Sequence, residues 1–360
     1  MIKKIEIFLK KIFLKILLIG NPKSNNNQLV KFDSNSKILF IRLNRIGDAL
    51  VSTPLLQIIK KNLKCKTIVL ASASNYFVFQ NNELCDKLIV FQKSLKNFVK
   101  LIHRLNSEDL TAVVDLHDDI STTVSFILAL LKAPIKIGFK KGNESLYTHL
   151  VVKLDTQKHH IIDRLMEFAK FFNVKTNSSD INVYYKPDQK SLQSAKAFLK
   201  KSFAKQKFLL GINISAGSQA RFWGIRKYKE LINSLIKYDL NILILCQKSD
   251  LAKAKEISNN YLPIFYSDNF DEFAAMISQL NLLFTPDTSI VHVASSFKIP
   301  MFGLYVKYNT EDVIWYPYKS DYECIITKEP TLKNISSEKV IQKLIPFLEK
   351  YLYDETTTRV

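Results

Sequence analysis

The chain has 360 residues, 47% hydrophobic and 24% charged. That composition supplies the cores of two domains and argues against a disordered chain or a disulfide scaffold. Lysine and arginine number 52 against 33 acidic residues, so the net charge is +19. Such a balance favours an anionic partner, whether nucleic acid, anionic lipid headgroups or a phosphorylated substrate.

The opening stretch, MIKKIEIFLKKIFLKILLIG, predicts a basic amphipathic helix over residues 1–20. At about 100° per residue, Lys3, Lys4, Lys10, Lys11 and Lys15 share one side with Glu6 at its edge. Ile2, Ile5, Phe8, Leu9, Ile12, Phe13 and Ile16 fill the other side, and Ile7 and Leu14 break the pattern. This form lies in a membrane interface and is drawn to anionic lipid. The alternative is a helix docked on the protein's own surface or on a partner helix. The lysines interrupt what would be a signal peptide's apolar stretch, and NPKSNNNQ after it holds no small-residue cleavage site. The apolar run Ile16–Ile19 is too short to span a bilayer.

After an Asn-, Lys- and Ser-rich linker to residue 35, short β-branched runs predict strands at 37–43, 66–71, 88–91 and 112–116. Helical-period stretches such as PLLQIIKKN and SLKNFVKLIHRL separate them. The second half repeats the theme, with strands at 208–215, 241–246, 282–287 and 301–306. Helices are predicted between them at 226–237, 250–260, 270–280 and 289–297, and a last one at about 336–352. Alternating strands and helices predict an α/β protein with two doubly wound parallel sheets. The expected division is a helix and linker (1–35), an N-terminal domain (36–187), a C-terminal domain (188–335), and a C-terminal helix and tail (336–360). A ligand is expected in a cleft at the carboxyl ends of the strands.

Cys65, Cys85, Cys246 and Cys324 form no CxxC and no metal-ligand spacing, which suits reduced thiols in a cytosolic protein. The six histidines make no HExxH or HxxxH, so no structural metal is expected.

Four segments could carry chemistry. In RLNRIGDALVSTPLL, Gly47 and Asp48 fall in a strand-to-helix turn. Gly47 would let backbone approach a ligand, and Asp48 would project as a base or else cap the helix. The helix dipole, Arg42 and Arg45 would weaken Asp48 as a base, so catalysis needs burial or a close hydroxyl partner. In ISAGSQARFWGIRKYKELI, a small-residue loop with Ser218 leads to Arg221, either a phosphate ligand or a solvated charge, and to Trp223, a packing residue in the blander reading. In LLFTPDTSIVHVASSFKIP, Asp287, Thr288 and Ser289 open a helix that can hold an anion. His292, one turn on, is a substrate contact or a core histidine. In VVDLHDDIS, Asp115 and His117 lie beside the pair Asp118 and Asp119, which suggests acid–base or metal work, but a solvated loop is the favoured reading.

Together these segments resemble the heptosyltransferases of glycosyltransferase family 9. IRLNRIGDALVSTPLLQIIK is similar to the family's N-terminal signature and TPDTSIVHVASSFKIP to its C-terminal one. IKIGF and HHIIDRLMEFAKFFNV also look like this family, and the resemblance runs in order from about Ile38 to Ile299. It implies a GT-B fold, two Rossmann-like domains with acceptor on the first and nucleotide-sugar on the second. It implies inverting, metal-independent transfer of a sugar, typically heptose from ADP-heptose, to a lipid-linked lipopolysaccharide or lipooligosaccharide core, with no cofactor. Asp48 matches the catalytic base and Arg221 the residue that stabilises the departing diphosphate. Asp287, Thr288 and Ser289 match the donor-holding segment, and Asp250 falls near a ribose-binding position. The sequence departs from the family at Ser289 (usually Gly), at Gly224 (usually Pro) and at Val306–Asn309 (usually a Gly-Pro-Thr loop), which puts the donor sugar in question.

The resulting expectation is an enzyme peripheral on the inner face of the bacterial inner membrane, held to the anionic surface by residues 1–20. The competing classes are a transferase using another nucleotide-sugar, a basic nucleic-acid-binding protein and a two-domain dehydrogenase. Against the last two stand the lack of an RNP-like motif or helix-turn-helix and of a GxGxxG fingerprint, so nucleic acid is not an expected partner.

Overall fold

A computed structural model describes residues 31–80 and 84–353. The helix expected over 1–20 and the tail from residue 354 lie outside the described residues. The chain divides into two compact units.

The first unit holds the chain up to Asp155 together with Ile161–Ile181. In chain order it contains β1 (Lys37–Arg42), α1 (Ile46–Asn62), β2 (Lys66–Ser72), the short α2 (Phe77–Gln80), β3 (Lys87–Phe91) and α3 (Leu95–Asn106). β4 (Ala112–Asp115), α4 (Thr122–Leu130), β5 (Ile135–Phe139), β6 (His149–Val151) and α5 (Ile161–Phe171) follow. The strands pair in parallel in the order β3-β2-β1-β4-β5-β6. β1 lies at the centre of the sheet, and Ile38–Arg42 are all buried.

α1 is buried from Ala49 to Leu56, because it lies between the sheet and α5. Pro54 sits inside it and cannot donate to the carbonyl of Leu50 four residues back. The Thr53 hydroxyl donates to that carbonyl at 2.7 Å, so the buried oxygen keeps a partner.

The second unit holds Thr156–His160 and the chain from Asn182. It contains α6 (Gln189–Ser202), β7 (Phe208–Asn213), α7 (Ile225–Leu235), β8 (Leu240–Cys246), α8 (Leu251–Ser258) and β9 (Ile264–Tyr266). α9 (Phe270–Ile277), β10 (Leu282–Pro286), α10 (Ile290–Ser296), β11 (Met301–Val306), β12 (Tyr322–Thr327) and α11 (Ser337–Leu352) complete it. Its parallel sheet runs β12-β11-β10-β7-β8-β9. Counted from its own first strand, this is the same winding as in the first unit.

Residues 156–160 are drawn into the second unit by pairing: the Val313 amide donates to the Thr156 carbonyl, and the Thr156 hydroxyl donates to Asp312 at 2.6 Å. The expected division at 187/188 therefore falls inside this unit. The C-terminal helix is not a separate element either. Val340, Leu344 and Leu348 of α11 fill the core beneath α7.

In both sheets the winding reverses direction at one point, between β1 and β4 and between β7 and β10. At such a switch point the connecting loops leave in opposite directions and open a crevice at the carboxyl ends of the strands. Every segment that the sequence marks for chemistry begins at one of these strand ends or beside it.

Candidate active site

In the first unit, Arg42 ends β1 and its guanidinium is buried. Nε donates to the Asp48 carbonyl at 2.7 Å and Nη1 to the Leu116 carbonyl, while Nη2 lies 3.4 Å from Asp48 Oδ1. Gly47 and Asp48 are within the first turn of α1, rather than in the loop before it. Arg45 holds the N-cap position, with no side-chain cap bond, so Asp48 is not the helix cap. Its carboxylate is 17% exposed, with one edge toward a buried cation and another toward solvent.

The backbone leading to Asp48 is clamped by side chains. Asn75 Nδ2 donates to the carbonyls of Arg42 (3.0 Å) and Asn44 (2.8 Å). The Leu43 amide donates to His117 Nε2 at 3.2 Å. Because that nitrogen accepts, the ring proton sits on Nδ1, which donates to Asp115 Oδ1 at 2.7 Å. Asp115 is buried at the end of β4, and its Oδ2 accepts from Lys141 Nζ (2.8 Å) and Tyr147 Oη (2.7 Å). Burial opposes ionisation of Asp115, but His117 and Lys141 outweigh it and hold the carboxyl below its usual range. Burial, reinforced by Asp115, pushes the Tyr147 phenol well above its ordinary value, so it stays a donor.

The solvated-loop reading of this segment is therefore wrong for Asp115 and His117, which are buried and fully engaged. It holds for Asp119, which is 97% exposed. Asp118 is tied to Arg164 at 2.6 Å and lies near Lys153. Among the described residues no group of three or more His, Cys, Asp or Glu could hold a metal ion.

In the second unit, Arg221 follows the loop after β7 and Asp287 follows β10. Arg221 Nη2 lies 3.2 Å from Asp287 Oδ2, and Nη1 donates to the Asp287 carbonyl at 3.2 Å. Burial pushes the Asp287 carboxyl up, and Arg221 pulls it the other way. Arg221 is neither a free surface charge nor buried. At 35% exposure it is held by two contacts and keeps other N–H donors for an anion.

Thr288 Oγ1 accepts from the Ile290 amide at 3.3 Å, and Ser289 takes the N-cap of α10 with no side-chain cap bond. Ser218 is exposed on its loop, its hydroxyl also uncommitted to capping. Asp250 stands apart from the Arg221–Asp287 pair. It accepts from the Ser215 hydroxyl at 2.7 Å and pairs with Lys253, tying the end of β8 to the loop after β7. His292 is buried, its ring 6.1 Å from that of Trp315. Trp223 packs in the core, with Nε1 donating to the Ile335 carbonyl at 2.9 Å.

The departures from the family pattern have backbone explanations. Ser289 has φ −57°, which any residue adopts, so no glycine is needed there. Gly224 has φ +121°, which a proline cannot take, so the path after Trp223 differs from a Trp-Pro chain. In the 306–309 loop, Asn309 is left-handed and the Lys307 amide continues the pairing of β11 by donating to Thr327.

The profile of glycosyltransferase family 9 (heptosyltransferase) matches residues 98–345. The chain belongs to glycosyltransferase family 9. The lipopolysaccharide core heptosyltransferase OpsX of Haemophilus influenzae is 24% identical over 224 residues, 59% of this chain and 62% of that protein. The match thus spans less than two thirds of this curated relative. A family 9 glycosyltransferase from Veillonella parvula superposes with a TM-score of 0.76 at 19% identity, covering 89% of this chain and 99% of the other. The E. coli ADP-heptose lipopolysaccharide heptosyltransferase II gives 0.69 at 17%, covering 87% and 99%. At these identities the two structures establish the fold, which is GT-B.

Sequence reasoning missed Asn75, Lys141, Tyr147 and Ser215. Only Ser215 stands in a quoted segment, and each acts by a bond to backbone or to a carboxylate distant in the chain. One signal was available. Gly138, in IKIGF, lies so close to the Tyr147 ring that a Cβ there would fall 2.3 Å from it.

Proposed function

We propose that this family 9 enzyme transfers heptose from ADP-heptose to a lipopolysaccharide or lipooligosaccharide core acceptor, with inversion and without a metal. The observation that carries this reading is the Arg221–Asp287 pair at the switch point of the second unit, within the segments matched by the family. A partly exposed guanidinium oriented by a carboxylate is a ready counter-charge for a departing diphosphate.

The acceptor binds on the first unit and the donor on the second. An acceptor hydroxyl attacks the anomeric carbon, forming the new C–O bond as the bond to the diphosphate breaks. Asp48 accepts the hydroxyl proton, and Arg221 meets the negative charge that develops on the leaving oxygen. Attack from the face opposite the leaving group inverts the anomeric configuration. Asp287, Thr288 and Ser289 hold donor phosphate and sugar, and Asp250 the ribose. Gly47, Ser218 and His292 complete the substrate contacts. The enzyme works on the inner face of the bacterial inner membrane, with residues 1–20 on the anionic surface.

A nucleotide-sugar panel read by thermal stabilisation tests the donor. A ligand at 100 times its dissociation constant adds about 2.7 kcal/mol of stability. ADP-heptose should give the largest shift. A larger shift with a different nucleotide-sugar would support the second reading, a changed donor, which the backbone at Gly224 and the 306–309 loop favour. Anomeric analysis of the product tests inversion.

A further inference from the structure

The outward face of α3 carries two rows of side chains spaced four residues apart. Leu95, Val99 and His103 form one, and Lys96, Lys100 and Arg104 the other; all six are exposed. Leu95 is 83% and Val99 63% exposed, while Phe98, Leu101, Ile102 and Leu105 of the same helix pack inward on the core. A helix needs only its inward face for folding, so the apolar outer row is not explained by the fold.

The strand beneath is β3, the edge of its sheet, where Val90 is also exposed. A groove of about 200 Å³ separates β3 from α3, with Lys100 and Arg104 among its lining residues. The chain has no acidic residue between Asp86 and Glu108. Those two carboxylates are taken by Lys60 and Lys87. Lys93, Lys96, Lys100 and Arg104 therefore add up to a cationic surface that no ion pair neutralises among the described residues.

We infer that the α3–β3 edge of the first unit docks on an anionic bilayer, with Leu95 and Val99 entering the interface and Lys96, Lys100 and Arg104 on the headgroups. The cationic row selects an anionic partner, and the apolar row beside it selects lipid over a phosphate backbone. The chain's own residues 1–20 do not fit as the occupant, since their five lysines against one glutamate meet a row of like charge. This surface stands on exposure and charge alone and does not depend on which sugar is transferred.

Vesicle flotation of the full-length protein tests it, using phosphatidylglycerol–phosphatidylcholine vesicles against phosphatidylcholine alone. The triple variant Lys96→Gln/Lys100→Gln/Arg104→Gln should lower partition to the anionic vesicles by roughly tenfold or more. Leu95→Ser/Val99→Ser should lower it by a similar order, and both should keep activity on a water-soluble acceptor. Leu95→Trp should show a blue-shifted emission with anionic vesicles and none with neutral ones. Unchanged partition in both multiple variants, or no shift at Leu95→Trp, would overturn the inference and leave any anchoring to residues 1–20. If the cationic variant loses duplex DNA while Leu95→Ser/Val99→Ser keeps its vesicles, the surface serves nucleic acid and the inference fails.

Discussion

At the residue scale, Asp48, Arg221 and Asp115 each carry a separate prediction. Asp48 faces a buried arginine that donates from Nε and Nη1 to backbone carbonyls and turns Nη2 toward the carboxylate at 3.4 Å. Asp48→Asn should leave donor binding intact and lower kcat by roughly 10² or more, with some loss of stability because buried Arg42 loses a charge partner. Ordinary turnover in that variant removes the base assignment. Arg221→Ala should weaken nucleotide-diphosphate binding by about ten- to a hundredfold, since a charge-assisted contact contributes roughly 1.5–3 kcal/mol. Lysine should restore part of it, keeping the charge but not the fork; calorimetry with ADP reads both. Asp115 concerns stability. Its folded carboxyl lies below the value of about 3.9 of an unfolded chain, so its contribution is complete above about pH 4 and lost as pH falls further. Asp115→Asn should cost about 3–5 kcal/mol at pH 7, because it leaves Lys141 buried without its charge partner. The difference from wild type should shrink below pH 4. A melting-temperature difference that stays constant from pH 7 to pH 3 would contradict this balance.

At the scale of elements, the central strands were legible because they are buried on both faces and read as unbroken apolar runs. β11 occupies 301–306 as read, and β1 and β8 differ from the reading by one residue. Of the four edge strands only β3, predicted at 88–91, was legible. β6 and β9 are three residues each, and β12 mixes tyrosine, glutamate and cysteine, so neither length nor alternation marks them. The site divides the same way. Asp48 and Asp287 stand in motifs at strand ends, whereas the Asn75 clamp and the Asp115–Tyr147 bond join residues 31 and 32 positions apart and leave no local trace. Gly138 shows how such a contact can still constrain sequence. Gly138→Ala should displace the Tyr147 ring at a cost of about 1–3 kcal/mol, as overpacked cores do. A thermal melt that shows no loss would mean the ring moves freely, and the Asp115 network with it.

At the scale of the whole molecule, the two units have the same strand order but only one carries the Asp48 turn and only the other the Arg221–Asp287 pair. The duplicated winding supplies two switch points, and the sequence has placed different charged groups at each. With a guanidinium placed as counter-charge, chelation by EDTA should leave turnover within about twofold, and a divalent requirement would return Asp118 and Asp119 to consideration. The most direct measurement is transfer itself: purified full-length protein, ADP-heptose, a heptose-free lipopolysaccharide core acceptor, and mass spectrometry of the product. The expected result is addition of one heptose by the wild-type protein, loss of that addition in Asp48→Asn, and no effect of EDTA. Absence of heptose addition, with transfer from some other nucleotide-sugar or from none, would contradict the proposed function.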